Sequence, residues 1–248
     1  MWRTQKPVLT VPRRHRRDGS VMRVMRVLRD RLARAAFRFL VTKPSVGLPL
    51  SKIGSEACGW IVPTDLITEE SVCYCVGAGE DITFDLALIE RYGCSVYGFD
   101  PTPRAKLHVG YVAKNNPRYH FFGVGLWSAD VPMKFYAPRD PTHVSHSVVN
   151  LQHTTDFFVA DCKRLSSIMR DLGHDHVDLL KLDVEGAEYT ILESILADEL
   201  RIGVICVEFD QPAPLRRTWK IIGALSRSGY HPVFAERWNW TFIHERMM

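Results

Sequence analysis

Residues 71–100 read SVCYCVGAGEDITFDLALIERYGCSVYGFD, and this stretch decides the fold. An apolar run, Val72 to Val76, has the character of a buried parallel strand. A tight Gly77-Ala78-Gly79 turn follows, then Glu80-Asp81 and a helical pattern over Thr83 to Tyr92. A second apolar run, Ser95 to Phe99, ends on Asp100, 23 positions after Gly77. Strand, glycine turn, helix, strand and terminal acid make one βαβ unit. Glycines let backbone N–H groups approach a ligand closely, and an acid at the tip of the second strand can accept the hydroxyls of a ribose. An adenosine-bearing cofactor is therefore expected.

Dinucleotide sites favour a third glycine, where this chain has Ile82, and the acids Glu80 and Asp81 would repel a pyrophosphate. Two carboxylates at a helix start suit the helix dipole and also a cationic ligand. S-adenosylmethionine carries a sulfonium and an ammonium and no phosphate, so it is preferred to NAD. The competing reading is that Glu80 and Asp81 only cap the helix.

Outward from this unit the alternation continues. Pro101-Thr102-Pro103 starts a helix through about Lys114, with Pro101 at a favourable early position. Tyr119 to Val124 reads as a third strand ending in Gly123-Val124-Gly125. Lys134-Phe135-Tyr136 reads as an edge strand, and residues 138–161 as a long polar loop or hairpin, the kind of segment that usually carries function. Arg164 to Leu172 is a helix stopped by Gly173; Val177 to Leu182 is a fourth strand, followed by a helix to about Ala197. Ile202 to Phe209 is a fifth strand, Pro214 to Ser228 a helix, and Val233-Phe234 with Trp240 to Ile243 a closing antiparallel pair. Strands alternating with helices predict a doubly wound α/β sheet, whose ligand lies outside the carboxyl ends of the strands. Those ends carry Gly77-Gly79-Glu80, Asp100, Gly123-Gly125, Asp183-Glu185 and Glu208-Asp210. Packing does not explain four acidic strand ends on one rim.

The chain has 248 residues and a net charge of +4, unevenly spread. Residues 1–43 hold 13 Lys and Arg against two Asp, a net of +11, which leaves −7 for the remainder. A mildly acidic globular part argues against a nucleic-acid face. Between Val21 and Leu40 apolar residues recur at a helical period with arginines between them. Such a basic amphipathic helix suits an anionic membrane surface, organelle targeting, or docking on its own domain or a partner, and residues 13–40 are the expected contact. Met22 and Met25 also permit a later start. Residues 1–43 are read as a basic leader, 44–70 as a rim or linker with one or two short strands around a packed Trp60, and 71–248 as the cofactor-binding domain. The six cysteines form no CxxC pair, which points to neither a disulfide framework nor a zinc site and makes a reducing, cytoplasmic setting the default, with a peripheral membrane location left open. No apolar run approaches a membrane span.

VGAGEDITFD, GFDPTPRA and LLKLDVEGAEYTIL, in this order and at these distances, resemble the FkbM-type S-adenosylmethionine-dependent methyltransferases over roughly residues 55–245. The KLDVEGAE block is the most specific piece. The resemblance implies a Rossmann-like class I methyltransferase fold with a seven-stranded, mostly parallel sheet and an antiparallel C-terminal strand. It also implies methyl transfer to an oxygen, often a hydroxyl on a sugar, glycolipid or natural product, with S-adenosylhomocysteine as product. Carried over, Gly77, Ala78 and Gly79 wrap the methionine part of the cofactor, Asp100 holds the ribose, and Val124 lies near the adenine. Asp183 lies by the sulfonium and the acceptor; Pro101 and Gly125 complete the candidate cofactor set with Glu80 and Asp81. Many methyltransferases have an acid two residues before the first glycine; here it is Cys75, and Glu80 is the substitute contact for the ammonium. Asp183 and Glu185 are the first candidates for the base, Glu208 the third, and His146 a loop candidate. Glu185 and Glu188 have an alternative role as caps of the following helix. His143, His146, His153 and Asp156 match no closed zinc pattern, so no metal is expected. Two rival readings stand beside this one: an NAD-linked oxidoreductase, and a catalytically silent fold used as an anchored binding module.

Overall fold

The computed structural model describes residues 48–209 and 215–248. The leader, Asp210 and Pro214 lie outside them. The central sheet has seven strands in the order β11-β12-β10-β9-β3-β4-β5. These are β3 (Val72–Val76), β4 (Ser95–Phe99), β5 (Tyr119–Phe122), β9 (Val177–Leu182), β10 (Ile202–Glu208), β11 (Tyr230–Glu236) and β12 (Asn239–His244). All neighbouring pairs from β10 to β5 are parallel, while β12 runs antiparallel to both β10 and β11. This is the doubly wound, mostly parallel seven-stranded sheet expected of a Rossmann-like methyltransferase fold.

Among the described residues five α-helices cover the sheet: α1 (Thr83–Tyr92), α2 (Pro103–Val112), α3 (Leu165–Leu172), α4 (Glu188–Ala197) and α5 (Leu215–Arg227). Their ends follow from the sequence. Thr102 caps α2 by accepting the Ala105 N–H, with Pro103 in the first turn. Gly93 and Gly173, both left-handed, stop α1 and α3. Strands buried on both sides read as apolar runs, and β10 has six buried residues in seven. One face packs Leu180, Leu182, Ile205 and Val207 with Trp240 and Phe242 among the helices; the other packs Cys75, Leu179, Val204 and Cys206 with Leu88 and Val109. A full burial of each such side chain contributes about 1.5–3 kcal/mol.

Residues 48–70 hold a small antiparallel hairpin, β1 (Leu50–Ile53) and β2 (Trp60–Pro63). Trp60 is buried in the second core face, and the Ile61 carbonyl accepts the Thr241 hydroxyl across to β12. The largest departure from the sequence reading lies between β5 and β9. Phe157–Lys163, expected within a loop or hairpin, is β8, the central strand of a second sheet with β6 (Gly125–Leu126) and β7 (Val131–Tyr136). Apolar residues occur on both faces of β8, including the exposed Phe157 and Val159, so no alternation marks it in the sequence. The third core strand also stops earlier than expected, at Phe122, and Gly125 starts the second sheet.

Tyr119 shows how tightly the core polar groups are paired. Its hydroxyl donates to the buried Asp85 carboxylate at 2.9 Å. Tyr119→Phe is expected to lower unfolding free energy by about 1–3 kcal/mol, the cost of a buried acceptor losing its donor. Urea unfolding with an unchanged m-value would measure it.

Candidate functional site

The chain runs β3, β4, β5 one way across the sheet and returns to place β9 and β10 on the other side of β3. That reversal opens a crevice at the carboxyl ends of β3 and β9. A cavity of about 330 Å³ lies there. A larger depression of about 610 Å³ lies at the opposite end of the strands, near His176, Arg201 and Met247. The smaller one is the candidate site, because the glycine turn and the strand-end acids converge on it.

Gly77 takes φ +89° and donates its N–H to the Phe99 carbonyl at 2.9 Å. A Cβ there would lie 1.9 Å from the Asp183 carbonyl oxygen, so only glycine lets the β3 and β9 ends approach this closely. Asp100 is buried at 6% exposure. One of its oxygens accepts the Gly79 N–H at 2.9 Å, and the other accepts the Thr102 N–H at 2.8 Å and hydroxyl at 2.6 Å. A carboxylate offers about four acceptor positions, so Asp100 both builds the turn and retains capacity for a hydroxyl.

The acids after the glycines serve the protein itself. Glu80 forms a two-pronged pair with Arg104, at 2.8 and 2.6 Å. Arg104 also donates to the carbonyls of Thr142 and His143, which ties the 137–153 loop to the turn. Asp81 accepts the Thr83 N–H at 2.8 Å and hydroxyl at 2.6 Å, and the Ser55 hydroxyl at 3.1 Å. Burial would raise Asp81, but the hydrogen bonds from Thr83, Cys58 and Ser55 outweigh it and hold it below its ordinary value. Both side chains are engaged within the protein, and the Glu80 carboxylate expected to receive the cofactor ammonium is instead held by Arg104.

At the end of β9, Lys181 is buried between Leu180 and Leu182; its ammonium donates to the Gly77 carbonyl at 2.7 Å and pairs with Asp183 at 3.3 Å. Burial would push Lys181 down, but Asp183 and Asp85 outweigh it and keep it above its usual range. Glu185 has a left-handed backbone, φ +54°, uncommon outside glycine. Its carbonyl accepts the Ser147 hydroxyl at 2.6 Å. Glu188 is fully buried and accepts the N–H groups of Val184 and Gly186, both at 3.1 Å, so it pins the loop that presents Glu185. Burial raises the Glu185 carboxyl, with the Asp183 charge adding to it. Burial first, then Asp183 and Glu185, push Glu208 up to about 7.

Of the residues expected from the sequence, Gly77, Ala78, Gly79, Glu80, Asp81, Asp100, Pro101, Gly125, His146, Asp183 and Glu185 line the cavity. Val124 does not: it packs against the core, and Gly125, Leu126 and Phe135 form the wall at that point. Glu208 stands behind Asp183 and Glu185 at the end of β10 rather than on the wall. His143 is exposed, 3.9 Å from Asp140, and His153 has a left-handed backbone on the far part of the loop. Among the described residues no group of three or more His, Cys, Asp or Glu side chains is placed to hold a metal ion. Sequence reasoning missed Lys181, Cys58, Val144 and Phe135. Lys181 left one signal, a lysine set among Leu179, Leu180 and Leu182; the others left none.

The lining fits an adenosyl group without phosphates. Val76, Phe99, Leu126 and Phe135 give apolar walls, Asp100 gives a hydroxyl acceptor, and Lys181, the cation on the wall, is already taken by Gly77 and Asp183. A pyrophosphate would find no available cation among these lining residues.

Comparison with known proteins agrees with this geometry. The methyltransferase FkbM domain matches residues 75–232. A probable methyltransferase-like protein 24 of Rattus norvegicus is 27% identical over 143 residues, 57% of this chain and 33% of that protein. Its Homo sapiens counterpart is 28% identical over 137 residues, 54% of this chain and 31% of that protein. The match thus spans about a third of the length of these relatives. Among solved structures, the Methanococcus jannaschii fibrillarin pre-rRNA processing protein aligns over 72% of this chain and 68% of its own, with a TM-score of 0.43 and 11% identity, too distant to transfer any chemistry.

Proposed function

This chain belongs to the FkbM methyltransferase family, and we propose that it moves the methyl group of S-adenosylmethionine onto a hydroxyl of a sugar, glycolipid or similar small polar acceptor. The carrying observation is the pairing of an apolar-walled cavity at the glycine turn with carboxylates at its edge: Asp183 and Glu185 on the wall, and Glu208, pushed up to about 7 by burial, behind them. When bound, S-adenosylmethionine supplies a methyl group already activated by its sulfonium, which leaves the protein to align an acceptor and take up its proton. Asp100 and the Gly77–Gly79 turn orient the cofactor. Asp183 and Glu185 receive the acceptor hydroxyl, with Glu208 behind them as the further candidate for its proton. His146, whose ring packs edge-on against Phe158 and whose Nδ1 lies 3.1 Å from the Val144 carbonyl, shapes the acceptor side.

Calorimetric titration with S-adenosylhomocysteine, with NAD as control, tests the cofactor. Binding of the first alone is expected; binding of neither would favour a silent binding module, and binding of NAD alone an oxidoreductase. Incubation with S-adenosylmethionine and a panel of polyols and glycolipids, read as mass gain of one methyl group, tests the acceptor. Gain confined to amines would overturn the hydroxyl reading.

The Arg104 contacts make a second prediction. The pair is partly exposed, so Arg104→Gln is expected to cost only about 0.2–1 kcal/mol in stability. Freeing the 137–153 loop from the turn should nonetheless speed S-adenosylhomocysteine dissociation roughly threefold or more, seen by stopped-flow fluorescence. An unchanged rate would mean that this loop does not hold the cofactor.

The basic leader is proposed to contact an anionic membrane or a partner. Among the described residues no helix is long and apolar enough to cross a membrane.

A further inference from the structure

We propose that Lys181 is an internal counter-ion and positioning residue that ties the glycine turn to Asp183 and offsets part of that carboxylate's field on the cavity, which narrows the preference for S-adenosylmethionine over S-adenosylhomocysteine; this rests on the methyltransferase reading above. The residue sits where the two halves of the site meet. Its ammonium bridges the Gly77 carbonyl at 2.7 Å and the Asp183 carboxylate at 3.3 Å. The backbones of those residues are also in direct contact, since a Cβ on Gly77 would collide with the Asp183 carbonyl. One side chain thereby fixes both the cofactor turn and the acid nearest the acceptor.

The register explains why a cation is there. Lys181 stands beside Cys75 on β3 and Cys206 on β10, neighbours that point to the same side of the parallel sheet. Cys75 occupies the position two residues before the first glycine, where many methyltransferases have an acid. This chain therefore places a cation rather than an anion beneath the turn. From α1, the buried Asp85, itself held by the Tyr119 hydroxyl, adds a second negative charge that acts on Lys181. Asp183 pairs directly with the ammonium on the cavity side, while the charge of the buried Asp85 acts on it without a direct pair.

The two cofactor forms differ by the positive charge of the sulfonium. An unpaired Asp183 would favour the charged form, because Coulomb interactions in a partly desolvated cavity are several times stronger than in water. Paired with Lys181 at 3.3 Å, it presents a smaller field to the cavity than it would alone. A purely mechanical lysine, one that only holds the Gly77 carbonyl, would affect both forms equally.

The test compares the intact chain with Lys181→Met and with the double variant Lys181→Met/Asp85→Asn, which removes one charge of each sign and keeps the core balanced should the single variant fail to fold. Calorimetric dissociation constants for S-adenosylmethionine and S-adenosylhomocysteine are measured for each. The expected result is weaker binding of both, with the ratio shifted in favour of S-adenosylmethionine by roughly three- to tenfold. An equal loss for both forms, or no loss, overturns the proposal. In the unaltered chain, nitrogen-detected magnetic resonance should show one slowly exchanging lysine ammonium whose signal moves to different positions with the two cofactor forms; coincident positions also overturn it. Failure of the unaltered chain to bind either form would overturn the methyltransferase reading and the proposal together, and is distinguishable because it needs no variant.

Discussion

Asp100→Ala is expected to weaken S-adenosylhomocysteine binding by about 100-fold or more, to the detection limit of calorimetry. The side chain is buried and holds three donors, the Gly79 N–H and the Thr102 N–H and hydroxyl. Its removal leaves those donors without an acceptor, at about 1–3 kcal/mol for each that stays dry. It also loosens Thr102, the cap of α2, and frees Gly79, so the turn loses its shape along with its hydroxyl acceptor. Asp100→Asn keeps one acceptor oxygen and should fall between the two, with a smaller loss of melting temperature than the alanine variant. Unchanged cofactor affinity in Asp100→Ala would sink the assignment of this cavity as the adenosyl site.

Glu208→Gln carries the second large effect. Its carboxyl titrates at about 7 rather than at the ordinary 4.5, mainly through burial and then through the charges of Asp183 and Glu185, against the opposing pull of Lys181. A carboxyl that holds its proton more tightly in the folded than in the unfolded chain favours folding at low pH. That stabilisation is full below about 4.5 and is lost as pH rises through about 7. The native chain should therefore lose melting temperature across this window in excess of Glu208→Gln, whose curve should be flatter; parallel curves would refute the shift. In turnover the sign is opposite, because proton uptake needs the ionised carboxylate. Activity of the native chain should fall as pH drops below about 7, and the glutamine variant should lose about 100-fold in kcat/KM together with that limb. Persistence of the limb at the same pH would move base work away from this cluster.

The site's electrostatics also alter a sequence-level argument. Glu80 and Asp81 favoured a cationic ligand when read as free charges after the glycine turn. In the folded chain Arg104 neutralises Glu80, and Thr83 and Ser55 occupy Asp81. The case against a dinucleotide now rests on the lining, where the cation that would meet a pyrophosphate is already internal.

Local pattern in this chain determined the βαβ unit, the helix stops at Gly93 and Gly173, and the run of acids at strand ends, because each depends on neighbours within one turn or one strand. From the same pattern came the expectation of a site at the carboxyl ends of the strands and of an adenosine-bearing cofactor. Tertiary structure alone decided which partner each charge meets. Glu80 finds Arg104 24 residues on, Lys181 finds Gly77 104 residues back, and Tyr119 finds Asp85 34 residues back. β8 likewise becomes a strand only because β6 and β7 flank it, its own residues being apolar on both faces. Periodicity reports which face of an element is buried; it contains no information on what lies opposite that face, and the chemistry of this site is set by what lies opposite.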